Sequence, residues 1–491
     1  MNNPLEESGL HTALEDNIAL MDALFENVDV YVKRRFENER NPAVKFCAFF
    51  CDGVVASPVI NDHIIKPLLL ADALTDGKGL IDRVADRFVM ANDVKKSDKV
   101  RDLVESVTYG DTILFIDGCK EALILNSKLF STRGITEPEG EKVLNGPREG
   151  FTEGIMQNLS MIRRRARTND LKMRFHKLGK RTATQICVCY FDGLVNHRIL
   201  KEFYRRLDGI DIDGILDSNY IVEYVSDASL FGFATAGYTE RPDVVVGKLL
   251  EGRIALLVDG TPSVLTFPYL FVENFQSSED YYLHPVYTSF SRLLRMVGFF
   301  FSIVTPAIYI SLVAFHHDIL PPSLMMNIMS EREVVPLPAA LEAVIMLLAF
   351  DILRETGVRM PSHVGQALGI VGALVIGQAA VEAKLIASPI IIVVAFTGIT
   401  GLLIPRLSTV VITCRFFLLL LASSLGLLGV VAGLGVLLLH ILNLNSFGVP
   451  EVTPLDMLQY QEVKDTFFRA PWPKMLTRTA SISQNQYRQK K

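Results

Sequence analysis

Four ionisable residues interrupt an apolar stretch late in the chain: Glu342, Asp351, Arg354 and Glu355, within "PAALEAVIMLLAFDILRETGVRMP", residues 338–361. Near the centre of a lipid-exposed helix each such charge costs about 2.5–3.5 kcal/mol, so this segment does not read as an ordinary span. Three placements fit the pattern: a helix lining a water-filled path, a re-entrant or interfacial helix, or a soluble connector. Ionisable groups at membrane depth are functional candidates by default. The chemistry here would be electrostatic, because rings of acidic side chains favour cations. Arg354 is spaced to pair with one of the carboxylates. These four residues are the candidate pore or gating groups.

Other reactive types offer less. Four Asp-Gly pairs, Asp52-Gly53, Asp117-Gly118, Asp192-Gly193 and Asp259-Gly260, each end an apolar, β-favouring run. Glycine adopts positive φ freely and aspartate more readily than most residues, so the pairs read as turns. Neither a second carboxylate for a metal nor a glycine-rich phosphate loop accompanies them. His316-His317 lack ligands at metal spacing and read as a loop pair at the membrane edge. Six cysteines form no metal-spaced pair of pairs and are expected to be reduced core residues. The expectation is a protein that is not an enzyme, with no catalytic residues, no cofactor and no metal.

The elements that must hold these residues differ sharply in composition. Of 491 residues 21% are charged and the net charge is −5, which gives no sign of a nucleic-acid binder. Mean hydropathy is +0.29, high for a soluble protein, and the apolar excess lies between about residues 296 and 442. The N-terminus lacks the basic start and short apolar core of a secretory signal, so the head is expected in the cytoplasm.

That head repeats itself. "FCAFFCDGVVASPVINDHIIKPL", from Phe46, and "TQICVCYFDGLVNHRILKEFYRRL", from Thr184, each run from a strand through Asp-Gly to a helix. Each copy closes about 65 residues later with a strand–Asp-Gly–strand hairpin, "TILFIDGCKEALILN" and "RIALLVDGTPSVLTF". The reading is two α/β lobes, 1–135 and 171–291. A connector, 136–170, lies between them and carries a basic helix at Arg163, Arg164, Arg165 and Arg167. That basic face is either solvated or set against a neighbouring subunit or anionic lipid headgroups.

A helical membrane domain, 292–445, follows, then a tail, 446–491. Apolar runs at 297–315, 364–381, 388–405 and 416–442 are long enough to span at 1.5 Å per residue, the last as one long tilted helix. The charged segment makes an optional fifth crossing, and with four the tail returns to the side of the head. Tyr281, Tyr282 and Tyr287 with Arg292 and Arg295 read as an interfacial belt. Gly365 and Gly369, and Gly429 and Gly433, are spaced for close helix contact. The fold class is thus α+β plus membrane: a duplicated two-lobe α/β head followed by an α-helical domain of four to five spans.

Several longer motifs carry a resemblance: "TEPEGEKVLNGPREGFTE" from Thr136, "TERPDVVVGKLLEGRIALLVDGTPSVLT" from Thr239, "ENFQSSEDYY" from Glu273, "LRETGVRMP" from Leu353, "GALVIGQAAVEAKLIASP" from Gly372 and "SFGVP" from Ser446. Together they make the chain similar, over roughly residues 130–455, to the A subunits of GerA-family spore germinant receptors. Thr356, Ser263 and Glu451 depart from the family pattern, where alanine, phenylalanine and an aromatic residue are usual. The resemblance implies an integral protein of the spore inner membrane, its N-terminal domain on the cytoplasmic (core) side. It implies B-type transporter-like and C-type lipoprotein partner subunits, contact with membrane lipid, and a homo-oligomeric ring that passes ions when nutrient binds. It implies no nucleic acid.

Rival readings remain open at this level. A sporulation-stage relative of the A subunits would conduct ions without a nutrient-binding partner of its own. A secondary transporter would show inverted repeats, and none is visible in 296–442. A membrane-anchored enzyme would have to use the aspartates of the head.

Overall fold

The computed structural model describes residues 9–488 other than 73, 75–78, 92, 109, 129–136, 139, 228, 360–371, 373–374 and 454–463. The chain divides into two compact units. The first holds the residues up to Ser226, Ala236–Pro268 and those from Leu476 onward; the second holds Asp227–Thr235 and Tyr269–Met475.

In the first unit the two lobes share one plan. Helix α1 (Leu14–Leu24) leads into β1 (Tyr31–Glu37) and β2 (Lys45–Cys51); helical stretches at 57–69 and 80–88 follow, and β3 (Val94–Ser97), α2 (Val100–Thr108), β4 (Thr112–Ile116) and β5 (Ala122–Leu125) complete the lobe. The second lobe runs α3 (Ile155–Arg165), β6 (Leu171–Leu178), β7 (Thr184–Phe191), α4 (His197–Asp208), α5 (Ser218–Val225), β8 (Gly237–Thr239), α6 (Pro242–Leu250), β9 (Ile254–Val258) and β10 (Val264–Phe267). The sheet orders, β1-β2-β4-β5-β3 and β6-β7-β9-β10-β8, correspond strand for strand. Every pairing is antiparallel, so the lobes are α+β rather than wound from parallel βαβ units. Strands β4 and β9 are buried at every residue, which explains their unbroken apolar runs. Helix α4 is amphipathic: Ile199, Leu200, Phe203 and Leu207 face the core, and Asn196 caps it by accepting from Arg198 N at 3.0 Å. The lobes contribute to one apolar core and meet where Val28 pairs with Met173.

The Asp-Gly turns have a role beyond chain reversal. Gly118 and Gly260 take φ of 82° and 89°, whereas none of the four aspartates is left-handed. Asp117 Oδ1 accepts from Leu14 N at 3.1 Å, and Asp259 Oδ1 accepts from Ile155 N at 3.1 Å. Neither α1 nor α3 has a side-chain cap from its own N-cap residue. Each hairpin aspartate therefore supplies the acceptor for the first helix of its lobe.

This arrangement makes the basic helix, α3, the counterpart of α1. Three of its arginines are tied into the protein, while Arg167, just past the helix end, is exposed and donates to the Arg164 carbonyl at 3.1 Å. Arg163 is 1% exposed and donates to the carbonyls of Thr168 and Leu171, while Arg164 and Arg165 both hold Glu149. Five of the six cysteines are buried, and all six are unbridged.

The second unit is mainly helical: α7 (Pro285–Ala314), α8 (Pro322–Arg332), α9 (Ala339–Arg359), α10 (Ser388–Leu402), α11 (Ser408–Leu425) and α12 (Leu427–Asn443). Pro285–Ala314 and Pro405–Leu425 are long and apolar enough to cross a membrane; α10 and α12 are apolar but shorter. Most of the expected span at 364–381, with Gly365 and Gly369, lies outside the described residues. Helix α7 is about 45 Å long at 1.5 Å per residue, more than the roughly 30 Å hydrocarbon core needs, and its charged first turns precede the apolar part.

The single helix expected over 416–442 is instead two. Gly426, at φ 61° and ψ −140°, reverses the chain, and α12 packs back along α11. That backbone region belongs almost only to glycine, and in the sequence Ser423 and Ser424 just precede it. Gly429 and Gly433 face α11, where a Cβ on Gly433 would lie 2.5 Å from Leu418 Cδ2. Gly398 of α10 similarly faces the Phe350 ring of α9.

Candidate functional site

Helix α9 carries all four candidate residues, and each meets a different environment. Glu342 is fully buried. Its Oε2 accepts from Ala387 N at 2.9 Å, at the N-terminus of α10, and its Oε1 lies 3.4 Å from Arg332 Nη1, at the C-terminus of α8. An anion at one helix N-terminus and a cation at another's C-terminus are each set favourably against the helix dipole. Glu342 thus joins three helices.

Asp351 lies two to three turns further along. One oxygen pairs with Arg415 of α11, which is 2% exposed, and the other is 3.6 Å from Arg354. Two guanidinium groups share one carboxylate in an apolar setting, where opposite charges hold each other far more strongly than in water. Glu355 is exposed at the far end of the helix. The structure therefore brings Asp351 and Arg354 together and sets Glu342 apart. Sequence reading missed Arg332 and Arg415 as partners, although an arginine inside the apolar run "STVVITCRFFLLLLASSL" was the signal for the second.

The other face of α9 is apolar and exposed: Leu341, Ile345, Leu348 and Ile352 recur at helical spacing. His316 hydrogen bonds the carbonyl of Ser311 at 3.3 Å and packs on Gly426, and no group of three metal-ligating side chains occurs among the described residues.

A second charged cluster lies at the start of α7. Arg292, expected in an interfacial belt, is 0% exposed and bridges Asp280 at 2.7 Å and Asp465 at 2.8 Å. Arg295 adds a 2.6 Å pair to Asp280, and Tyr281 donates to Asp465 Oδ2 at 2.7 Å. Arg469 donates to the carbonyls of Leu283 and Tyr281 and lies over the rings of Tyr281 and Trp472. The tail thus clamps the foot of α7. Tyr287 remains exposed, as a belt residue would be.

Three of the long sequence motifs, from Thr136, Thr239 and Ser446, contain such locks. Arg241 reaches the carbonyls of Glu141 and Pro147, and Glu141 accepts from Thr239 Oγ1, which pins the irregular connector to the β8–α6 turn. Ser446 donates to the Thr235 carbonyl and accepts from Tyr269 N.

Residues 19–481 match the family model of Bacillus/Clostridium GerA spore germination proteins. The chain is 38% identical to the uncharacterized membrane protein YfkQ of Bacillus subtilis, over 96% of this chain and 91% of that one. It is 39% identical to spore germination protein KA of Bacillus subtilis, over 90% of this chain and 81% of that one. The crystal structure of the N-terminal domain of the A subunit of the Bacillus megaterium spore germinant receptor GerK3 is similar at 34% identity and a TM-score of 0.43, over 54% of this chain and 98% of that one.

Proposed function

The chain belongs to the family of Bacillus/Clostridium GerA spore germination proteins, and on that premise we propose that it is the A-type membrane subunit of a nutrient germinant receptor, oligomerising into a nutrient-gated cation channel. It works in the spore inner membrane with B-type and C-type subunits, its head on the cytoplasmic side. The observation that carries the conduction reading is the Asp351–Arg415 pair, in which a half-buried carboxylate meets a buried guanidinium within the helical unit, on the segment least suited to face lipid. In the resting state Arg415 and Arg354 occupy the carboxylate; release of that pairing would free an acidic side chain to favour cations.

The tail supports an even number of crossings. Gln484 N donates to the Leu194 carbonyl at 3.0 Å, Ser483 pairs with Val195, and Arg488 lies 2.8 Å from Glu251. These contacts join the C-terminal residues to the second lobe within one unit. Head and C-terminus on one side favours four spans over five.

The test is Asp351→Asn in spores. With normal protein levels, nutrient-triggered cation release should change severalfold in rate. Unchanged release would sink the assignment of Asp351.

A further inference from the structure

Glu451 follows the small hairpin of Asn445–Ser446 and Val449–Pro450 that ends α12. Its backbone is fixed at both ends: its N–H donates to the Leu444 carbonyl, and its carbonyl accepts from Phe271 N, both at 3.0 Å. Its side chain is 0% exposed, and neither carboxylate oxygen has a hydrogen-bond partner among the described residues. An ionised carboxylate cannot stay in such a place without a partner.

The charged groups that act on it are both acidic. Glu273 comes from the short helix Phe271–Phe275, and Asp227 from the loop Asp227–Thr235, where it also accepts from Phe447 N at 2.9 Å. The titratable group of α12 beside this loop, His440, is turned to Ser229 at 3.4 Å and to the rings of Phe231 and Phe233. Burial, then repulsion from Glu273 and Asp227, pushes the Glu451 carboxyl up to about 8.

We infer that Glu451 is a proton-binding site, and that its proton fastens the end of α12 to the 227–235 and 271–275 segments. Protonated, the side chain is neutral and remains buried. Ionised, it leaves for water and takes its hairpin with it. The sign is set by the raised value. The fastening is complete below the ordinary glutamate range, around 4.5, and weakens as pH rises toward about 8.

Hydrogen exchange of the full-length protein in detergent tests this, read on peptides covering 227–235, 269–276 and 444–453 and corrected for the intrinsic pH dependence of exchange. The wild type should be protected at about pH 6 and exchange roughly tenfold faster at about pH 9.5. Glu451→Gln should stay protected at both. Glu273→Gln keeps Glu451 but removes one repelling charge, so its opening midpoint should move to lower pH. A wild type without this pH dependence, or a Glu451→Gln variant that opens like the wild type, would overturn the inference. Recovery of protection at the higher pH on adding calcium chloride would overturn it in favour of a metal cation.

Discussion

At the scale of single residues, the aspartates of the repeat act as remote helix caps, and the same bond recurs in both lobes. Asp259→Ala should leave the hairpin turn to Gly260 but strip α3 of an acceptor, at a cost of about 1 kcal/mol. Denaturant unfolding of the full chain, with exchange of the α3 amides, checks it. Glu149 gives a pH dependence of the usual carboxylate sign. Burial alone would raise its carboxyl, but the bonds from Arg164 and Arg165 outweigh burial and hold it below the ordinary value. Its contribution is therefore present above the unfolded value and lost as pH falls through the folded one. Acid unfolding of Glu149→Gln should begin from a lower stability and show a shallower slope than the wild type. Equal slopes would contradict this account. The Asp-Gly signal was legible because a tight turn demands glycine. The capping bond was not, because Asp259 and Ile155 lie 104 positions apart.

At the scale of elements, glycine decides how closely the helices approach. The spacing of Gly429 and Gly433 rightly pointed to a packing face, yet Gly426, three residues earlier, was absorbed into an apolar run and the reversal went unseen. The Ser423-Ser424 pair before Gly426 is the bend's polar punctuation, but serines also occur inside membrane helices, and both of these bond carbonyls of their own helix. Gly433→Leu would drive a branched side chain into Leu418 and Leu421. It should destabilise the α11–α12 hairpin by about 1–3 kcal/mol or more, seen as a lower thermal midpoint of the full-length protein in detergent; an unchanged midpoint would contradict the packing. The basic helix shows the opposite failure. Three of its four arginines read wrongly as surface, because sequence spacing does not reveal that two backbone carbonyls take Arg163 and that Glu149 takes Arg164 and Arg165. Arg167 is exposed.

At the scale of the molecule, the division into a head and a helical block was evident from hydropathy alone, and the doubled lobe from its repeated strand–Asp-Gly pattern. The return of the tail to the second lobe was not, since the bonds that make it join residues such as Arg488 and Glu251 with no shared pattern. Nor did the four charges of α9 disclose their partners; Arg332 and Arg415 come from other helices. For function, the consequence is that Glu342 and Asp351 are already paired within one chain. In the proposed channel a conducting state would require that pairing to change, and the exposed apolar face of α9 carries Leu341, Ile345, Leu348 and Ile352.

The most direct measurement is the oligomeric state and cation conductance of the full-length protein reconstituted in liposomes with the proposed B-type and C-type subunits. The account expects a closed ring of this chain and a nutrient-dependent cation current that Asp351→Asn alters in size or selectivity. A monomer with no current, or a current indifferent to Asp351, would contradict it and move the ion path to another subunit.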